Sequence, residues 1–198
     1  MRLVVGLGNP GRRFARTRHN FGYRVADRFA ESRQAAFVPG KGDYVYAEPQ
    51  TDDLAVIKPT SFMNVCGIPV QDAMAFFKAS PENTLVVFDD IDLPLGTLRF
   101  RVKGGAGGHK GVESIIYQLG SEDFPRLRLG IASDVPMRPS EKYVLDSFRP
   151  DDEMLVEEAV QKSVDGINDF LTYGVDSAMT RFNAPVMDIS IEGKGNPF

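Results

Sequence analysis

The chain has 198 residues, of which 42% are hydrophobic and 25% are charged, and its formal net charge is −4 at pH 7. This length predicts one domain with a sizeable core, and this composition excludes disordered, collagen-like and coiled-coil chains. The apolar run at the N-terminus is too short for a signal peptide and no run approaches a membrane span, so we expect a soluble, cytoplasmic protein.

Strands and helices alternate along the first part of the chain. RLVVGL (2–7) has the apolar run of a buried strand, and FGYRVADRFAESR (21–33) has apolar residues at helical spacing. DYVYAE (43–48) and LAVIKP (54–59) are typical of two short strands in a hairpin. A further helix is predicted to begin at Pro69, because proline favours the first position of a helix.

The same alternation continues to the C-terminal helix. TLVVFDD (84–90) and LRLGIA (127–132) are predicted strands, and TLRFRV (97–102) alternates as a strand with one wet face. GGHKGVESIIYQL (107–119) begins as a glycine loop and becomes a helix, and 151–173 has the pattern of a long amphipathic helix.

This order predicts an α/β fold, with a mixed, mostly parallel twisted sheet flanked by helices. The hairpin makes the sheet mixed, and the strand–helix alternation requires parallel crossovers. We expect one domain over residues 1–185 and a loose C-terminal tail over residues 186–198.

A glycine motif, VVGLGNPG (4–11), follows the first strand and matches the G-x-G-x-x-G of dinucleotide-binding loops. Such a site also needs an acidic residue at the end of a second strand, about 20 residues further on. Asp27 stands at that distance but within a predicted helix, so the dinucleotide interpretation is weak. The glycines equally allow another substrate to approach the backbone.

Two polar residues follow predicted strands at their carboxyl ends. Asn9 lies in the glycine loop after the first strand, and Asp89 follows the apolar run LVVF. Ligands of open α/β sheets bind beyond the carboxyl ends of the strands, so Asn9 and Asp89 are expected to share one rim.

The chain has two histidines, His19 in TRHNFG and His109 in GGHKG, and either is a candidate general base. They are 90 residues apart without H-x-x-x-H spacing, which argues against a zinc site. The carboxylates of DDIDLP allow three interpretations: a Mg²⁺ site, a polar turn, or an Asp89 that orients a histidine and favours its protonated form.

Three residues near PTSFMNVCG have a structural and a functional interpretation each. Cys66 is a candidate nucleophile, but a single cysteine is usually a small buried hydrophobe. Asn64 is either a helix cap or an amide that holds substrate. Phe62 belongs either to the core or to a platform for a base or ribose.

Positive charge is concentrated despite the acidic total. Six arginines lie between residues 12 and 28, four cations lie between 97 and 110, and Arg126 and Arg128 follow. These residues are either solvated surface or a local face that binds a phosphate backbone.

Together these stretches resemble the bacterial-type peptidyl-tRNA hydrolases. The matching segments are VVGLGNPG, TRHNFG, KPTSFMNVCG, DDIDLPLG, GGAGGHKG and RLRLGI, in the order of that family. They cover about residues 2–132, and their combination is highly specific.

The resemblance implies an enzyme that hydrolyses the ester between peptide and tRNA in peptidyl-tRNA, with water activated by a histidine and without a covalent intermediate. It implies His19 as the base, Asp89 as its support and Asn9 as a contact for the peptide. It also implies a cytoplasmic monomer with no cofactor, no metal, no membrane and no obligate protein partner. The remaining implied residues are Phe14, Phe62, Asn64 and Lys110 for the substrate, Arg101 and Arg128 as a clamp for tRNA phosphate, and His109 in a secondary role.

The sequence departs from the family pattern at three places. Phe14 stands where tyrosine is common, so a hydroxyl contact is lost there. Lys110 replaces the usual asparagine, and Ala106 lies in a loop that varies across the family. Two alternatives to the enzyme are a non-catalytic RNA-binding relative and a nucleotide-dependent oxidoreductase.

Overall fold

A seven-stranded β-sheet with helices on both faces organises the residues that the computed structural model describes, which are 1–50, 53–134, 137 and 139–183. The strands are β1 (Arg2–Gly6), β2 (Val38–Pro39), β3 (Tyr44–Ala47), β4 (Leu54–Pro59), β5 (Thr84–Pro94), β6 (Leu98–Arg101) and β7 (Arg126–Ala132). The helices are α1 (Phe21–Ser32), α2 (Gly67–Phe77), α3 (Lys110–Leu119), α4 (Ser140–Leu145), α5 (Glu153–Tyr173) and α6 (Val175–Phe182).

The strand order is β2-β3-β4-β1-β5-β7-β6. The central strands β4, β1, β5 and β7 are parallel, whereas β3 and β6 run antiparallel to their neighbours. After β1 the chain continues to the strands on one side of β1, namely β2, β3 and β4. After β5 it continues to β6 and β7, which lie on the opposite side of the sheet. The carboxyl ends of β1 and β5 therefore flank a switch point, where α/β sheets form ligand crevices.

Alternate residues of the central strands are buried in two separate hydrophobic cores, one on each face of the sheet. Val4 and Val87 face the core that α1, α5 and α6 cover, while Val5 and Val86 face the core under α2 and α3. Because both faces of the central strands are buried, these strands carry nearly continuous apolar runs rather than alternation.

A close approach between α1 and the sheet fixes where the segment before α1 lies. A Cβ atom added to Gly22 would lie 2.3 Å from the carbonyl oxygen of Val87 and 2.6 Å from the backbone nitrogen of Leu7. Only glycine fits at that distance, so the first turn of α1 is held against the ends of β1 and β5. The residues just before α1, including His19, are thereby held at the switch point.

The predicted α/β architecture is confirmed, and so are the hairpin of β3 with β4 and the helices at α1, α3 and α5. The helix predicted to begin at Pro69 is confirmed as α2, but its predicted start is wrong, because α2 begins at Gly67 after a 3₁₀ turn over Met63–Val65. The sequence patterns also missed β2, α4 and α6, which are short. The predicted tail, 186–198, lies outside the described residues.

None of the helices in the described ranges is long and apolar enough to cross a lipid bilayer.

Candidate active site

An open cleft of about 850 Å³ lies beyond the carboxyl ends of β1 and β5. Its walls come from the glycine loop after β1, the segment before α2, the loop between β6 and α3, and helix α4. The residues that the family resemblance implies for the site all line it, namely Asn9, Phe14, His19, Phe62, Asn64, Asp89, Arg101, His109, Lys110 and Arg128.

At the base of the cleft, one buried carboxylate contacts both histidines. The two Asp89 oxygens lie 3.0 and 3.1 Å from Nδ1 of His19, and one of them also lies 3.1 Å from Nε2 of His109. The Asp89 side chain is 2% exposed, and the two imidazole rings lie 4.8 Å apart between centroids. The fold thus brings together two histidines that the sequence places far apart.

The tautomer of His109 follows from its position at the start of α3. Its Nδ1 accepts hydrogen bonds from the backbone N–H groups of Gly111 and Val112, at 3.2 and 3.3 Å. A nitrogen that accepts two N–H groups carries no proton, so the proton of neutral His109 is on Nε2 and is donated to Asp89. His109 therefore caps α3 and holds the carboxylate, a double role that the loop sequence did not reveal.

Asp89 controls the protonation of His19. Burial of the ring acts to lower the His19 pKa, but the charge of Asp89 and its hydrogen bond outweigh burial and raise the pKa above its ordinary value of 6.5. Burial acts to raise the Asp89 pKa, but His19 and His109 outweigh it and hold that pKa well below the usual range. Asp89 is therefore an anion at neutral pH. Because Nδ1 of His19 contacts Asp89, the other ring nitrogen, Nε2, points away from the carboxylate.

Asn9 is held rigidly beside this group. Its backbone N–H donates to Oδ1 of Asn20 at 2.8 Å, and Nδ2 of Asn20 donates back to the Asn9 carbonyl at 2.9 Å. Oδ1 of Asn9 accepts the backbone N–H of Met63 at 2.9 Å. Because its oxygen is occupied in this way, the Asn9 side chain offers Nδ2 as a donor to a ligand.

Aromatic and amide groups form the opposite wall. Phe14 and Phe62 pack edge to face with ring centroids 6.4 Å apart, and Phe62 is 52% exposed. Asn64 is exposed in the 3₁₀ turn and makes no capping hydrogen bond to α2, whose preceding residue is Cys66. The helix-cap interpretation of Asn64 is therefore wrong.

Several of the clustered cations are engaged by other groups of the protein. Arg18 is buried against Tyr143 of α4, with its guanidinium carbon 4.2 Å from the ring centroid. Arg24 and Arg28 form ion pairs with Glu157 of α5. The cationic rim of the cleft is instead formed by the β6–β7 edge, with Arg101, Lys103 and Arg128.

Lys110 lines the cleft at the first position of α3, and its Nζ lies 3.0 Å from a carboxylate oxygen of Glu113. Both side chains are 60% exposed. An exposed pair of this kind contributes little to stability, so Lys110 is available to another anion.

Two alternative chemistries lose their support. Burial raises the pKa of the Cys66 thiol to about 12, so Cys66 is a buried apolar residue rather than a nucleophile. Asp27 lies in the middle of α1 and pairs with Lys58, so it does not stand at a strand end, where a dinucleotide ribose would need it.

His19, Asp89 and His109 are the one group in the described part of the chain whose metal-ligating atoms lie within 4.8 Å of one another. The separations from Asp89 are those of hydrogen bonds, and Nδ1 of His109 is occupied by the backbone. Hydrogen bonds therefore account for these short separations. The raised pKa of His19 agrees with the interpretation of DDIDLP in which Asp89 orients a histidine and favours its protonated form. Of the two other carboxylates considered for Mg²⁺, Asp90 pairs with Arg128 and Asp92 is exposed.

Comparisons with known proteins agree with these observations. The peptidyl-tRNA hydrolase family model matches residues 3–190. A peptidyl-tRNA hydrolase of Chlorobaculum parvum is 42% identical over 189 residues, covering 94% of this chain and all of the relative. One of Symbiobacterium thermophilum is 42% identical over 186 residues, covering 92% of this chain and 98% of the relative. The solved peptidyl-tRNA hydrolase of Acinetobacter baumannii superposes with a TM-score of 0.86 at 27% identity, over 93% of this chain and 95% of that one.

The contact with Asp89 generates a prediction for His19. Asp89→Asn removes the charge that favours the imidazolium while burial remains, so the His19 pKa should fall below 6.5. NMR titration of the two histidines in the wild type and the variant measures this shift. An unchanged His19 pKa would show that Asp89 does not control this group.

Proposed function

Because this chain belongs to the peptidyl-tRNA hydrolase family and is a peptidyl-tRNA hydrolase, we propose that His19 activates the water that cleaves the ester. The observation that carries this proposal is the Asp89 contact. In this contact, Nδ1 of His19 carries the ring proton and donates it to the Asp89 carboxylate. Nε2 of His19 is then unprotonated, and its lone pair can accept a proton from water.

In the proposed reaction, Nε2 of His19 takes a proton from water as the water oxygen attacks the ester carbonyl carbon. A tetrahedral intermediate forms, and its collapse breaks the bond to the ribose oxygen. The imidazolium returns the proton to that leaving oxygen, so the products are a peptide with a free carboxyl group and a tRNA with a free hydroxyl group. An ester is easier to hydrolyse than an amide, and an activated water therefore suffices without a covalent intermediate.

Asp89 supports the proposed base in two ways. It fixes the ring orientation of His19, and its negative charge stabilises the imidazolium that forms when the water proton is taken. His109 holds Asp89 from the other side and thereby keeps the carboxylate in place. We propose a positioning role for His109 rather than direct contact with the reacting atoms.

Asn9 is the donor that the geometry favours for the peptide side. Its oxygen accepts the Met63 N–H, so the free Nδ2 can donate to a peptide carbonyl or to the developing oxyanion. Removal of one such donor typically slows an enzyme by an amount equivalent to about 3 kcal/mol. Asn9 is held at both its backbone and its side chain, which is the rigidity that such a donor needs.

The tRNA side is assigned to the remaining walls of the cleft. Phe62 offers an exposed ring for a base or ribose at the 3′ end, with Phe14 packed against it and Asn64 beside it. Arg101 and Arg128 provide charge for phosphates, which set the position of an RNA without reading its sequence. We further propose a cytoplasmic monomer that needs no cofactor and no obligate protein partner, as the family resemblance implies.

The role of His19 is tested by His19→Asn. This variant keeps a polar side chain but has no basic nitrogen, so it should lose nearly all cleavage while it still binds tRNA. Single-turnover cleavage of peptidyl-tRNA, without added metal or nucleotide, and binding of deacylated tRNA are the two measurements. A variant that retains a tenth or more of the wild-type kcat would contradict the assignment.

Lys110 is predicted to add one phosphate-directed charge where relatives carry an amide. Lys110→Ala should raise the KM for peptidyl-tRNA and flatten its dependence on salt by up to about one phosphate contact. Lys110→Asn, which restores the residue common in the family, should keep most of kcat. Equal KM values for the wild type and Lys110→Ala, with the same dependence of KM on salt concentration, would show that Lys110 does not contact a substrate phosphate.

A further inference from the structure

Four arginines share one face of the β6–β7 ladder. Arg99 lies opposite Arg128 and Arg101 lies opposite Arg126 in the antiparallel register. Residues two apart on a strand point to the same face, so all four side chains emerge together. Like charges directly opposite one another destabilise a sheet, and this edge therefore needs compensating groups.

Arg126 is compensated by neutral groups. Its guanidinium is buried and donates to the backbone carbonyls of Gly104, Gly105 and Glu122, beneath the glycine loop that leads to His109. Burial outweighs the charge of Glu122, which acts to raise the pKa, and together with the nearby charge of Arg128 it lowers the pKa of Arg126 to about 10. This arginine secures the loop and is not available to a ligand.

Arg128 is the one member of the set that pairs with a carboxylate among the residues described. Its Nε donates to Oδ2 of Asp90, from the adjacent strand β5. The register places Phe88 opposite Arg128, so Asp90, two residues on, is its diagonal neighbour on the same face. The Asp90 side chain is 9% exposed and that of Arg128 is 26% exposed, which makes this pair drier than an ordinary surface ion pair.

Both members of this pair line the cleft, and Arg101 lines it beside them. Within the described ranges, neither Arg99 nor Arg101 has a carboxylate within ion-pair distance. Two arginines of the edge are thus open to an anion, whereas the third, Arg128, already holds one.

We propose that Asp90 is an internal counter-ion of Arg128, which a tRNA phosphate displaces when the substrate binds. The inference rests on the proposed tRNA-binding role of this rim. The phosphate must compete with a carboxylate already in place, so Asp90 limits how tightly the cleft holds any anion. An isolated phosphate gains little from this exchange, whereas a tRNA that also reaches Arg99 and Arg101 gains enough to displace Asp90. The same carboxylate pairs with Arg128 again when the product tRNA leaves.

The test compares Asp90→Asn with Asp92→Asn as a matched control. Both substitutions replace a carboxylate by an amide of the same shape, two residues apart in the same strand, and both sites line the cleft. Asp92 is exposed and pairs with no cation in the part of the chain that the structure describes. A general loss of negative charge therefore affects both variants, and only Asp90→Asn releases Arg128.

Dissociation constants for deacylated tRNA are measured over a range of salt concentrations. Asp90→Asn should bind about 3- to 10-fold more tightly at low salt, with a salt dependence steeper by up to about one phosphate contact. Asp92→Asn should change binding less than twofold. In turnover, the effect of Asp90→Asn should appear as a lower KM for peptidyl-tRNA rather than in kcat.

Equal binding by the two variants, or weaker binding by Asp90→Asn, would overturn the inference. Cleavage of peptidyl-tRNA by the wild type in the same preparation tests the proposed function separately. A second measurement needs no variant: saturating deacylated tRNA should shift the NMR signal of the Asp90 carboxyl carbon in the wild-type protein. An unshifted signal would also overturn the inference, including in the case that Asp90→Asn fails to fold.

Discussion

A buried carboxylate shared by two imidazoles is the interaction on which the cleft depends. Asp89 is almost fully buried, and an isolated charge in that position would be costly to remove from water. Two ring nitrogens at hydrogen-bond distance offset that cost. The same contacts fix both rings, so the charge that needs compensation also supplies the orientation that the proposed base requires.

This interaction joins elements from both sides of the sheet. His19 precedes α1, which packs on one core, and His109 caps α3, which packs on the other. Asp89 lies between them near the end of β5, beside the switch point of the strand order. The close contact of Gly22 with the strand ends holds one side, and the Arg126 contacts with the glycine loop hold the other. The rigidity of the site therefore depends on how tightly these two layers pack against the sheet.

The sequence predicted much of this arrangement for physical reasons. The carboxyl ends of buried strands placed Asn9 and Asp89 on one rim, and the apolar periodicity placed Asp27 inside a helix. The meeting of His19 with His109 was beyond that reasoning, because it depends on how a loop 90 residues away folds back. The sequence also did not predict which arginine pairs with a carboxylate. Arg126 and Arg128 have similar sequence contexts, but the fold places Arg126 under a glycine loop and Arg128 beside Asp90.

Asp89 is proposed to raise the pKa of His19, the proposed base for turnover. The most direct measurement compares two values for the wild-type protein: the pKa of the acid limb of kcat/KM for peptidyl-tRNA, and the His19 pKa from NMR titration. We expect the two pKa values to agree and both to lie above 6.5, because the charge of Asp89 outweighs burial. An acid limb that follows a different pKa, or a His19 that titrates below 6.5, would contradict it.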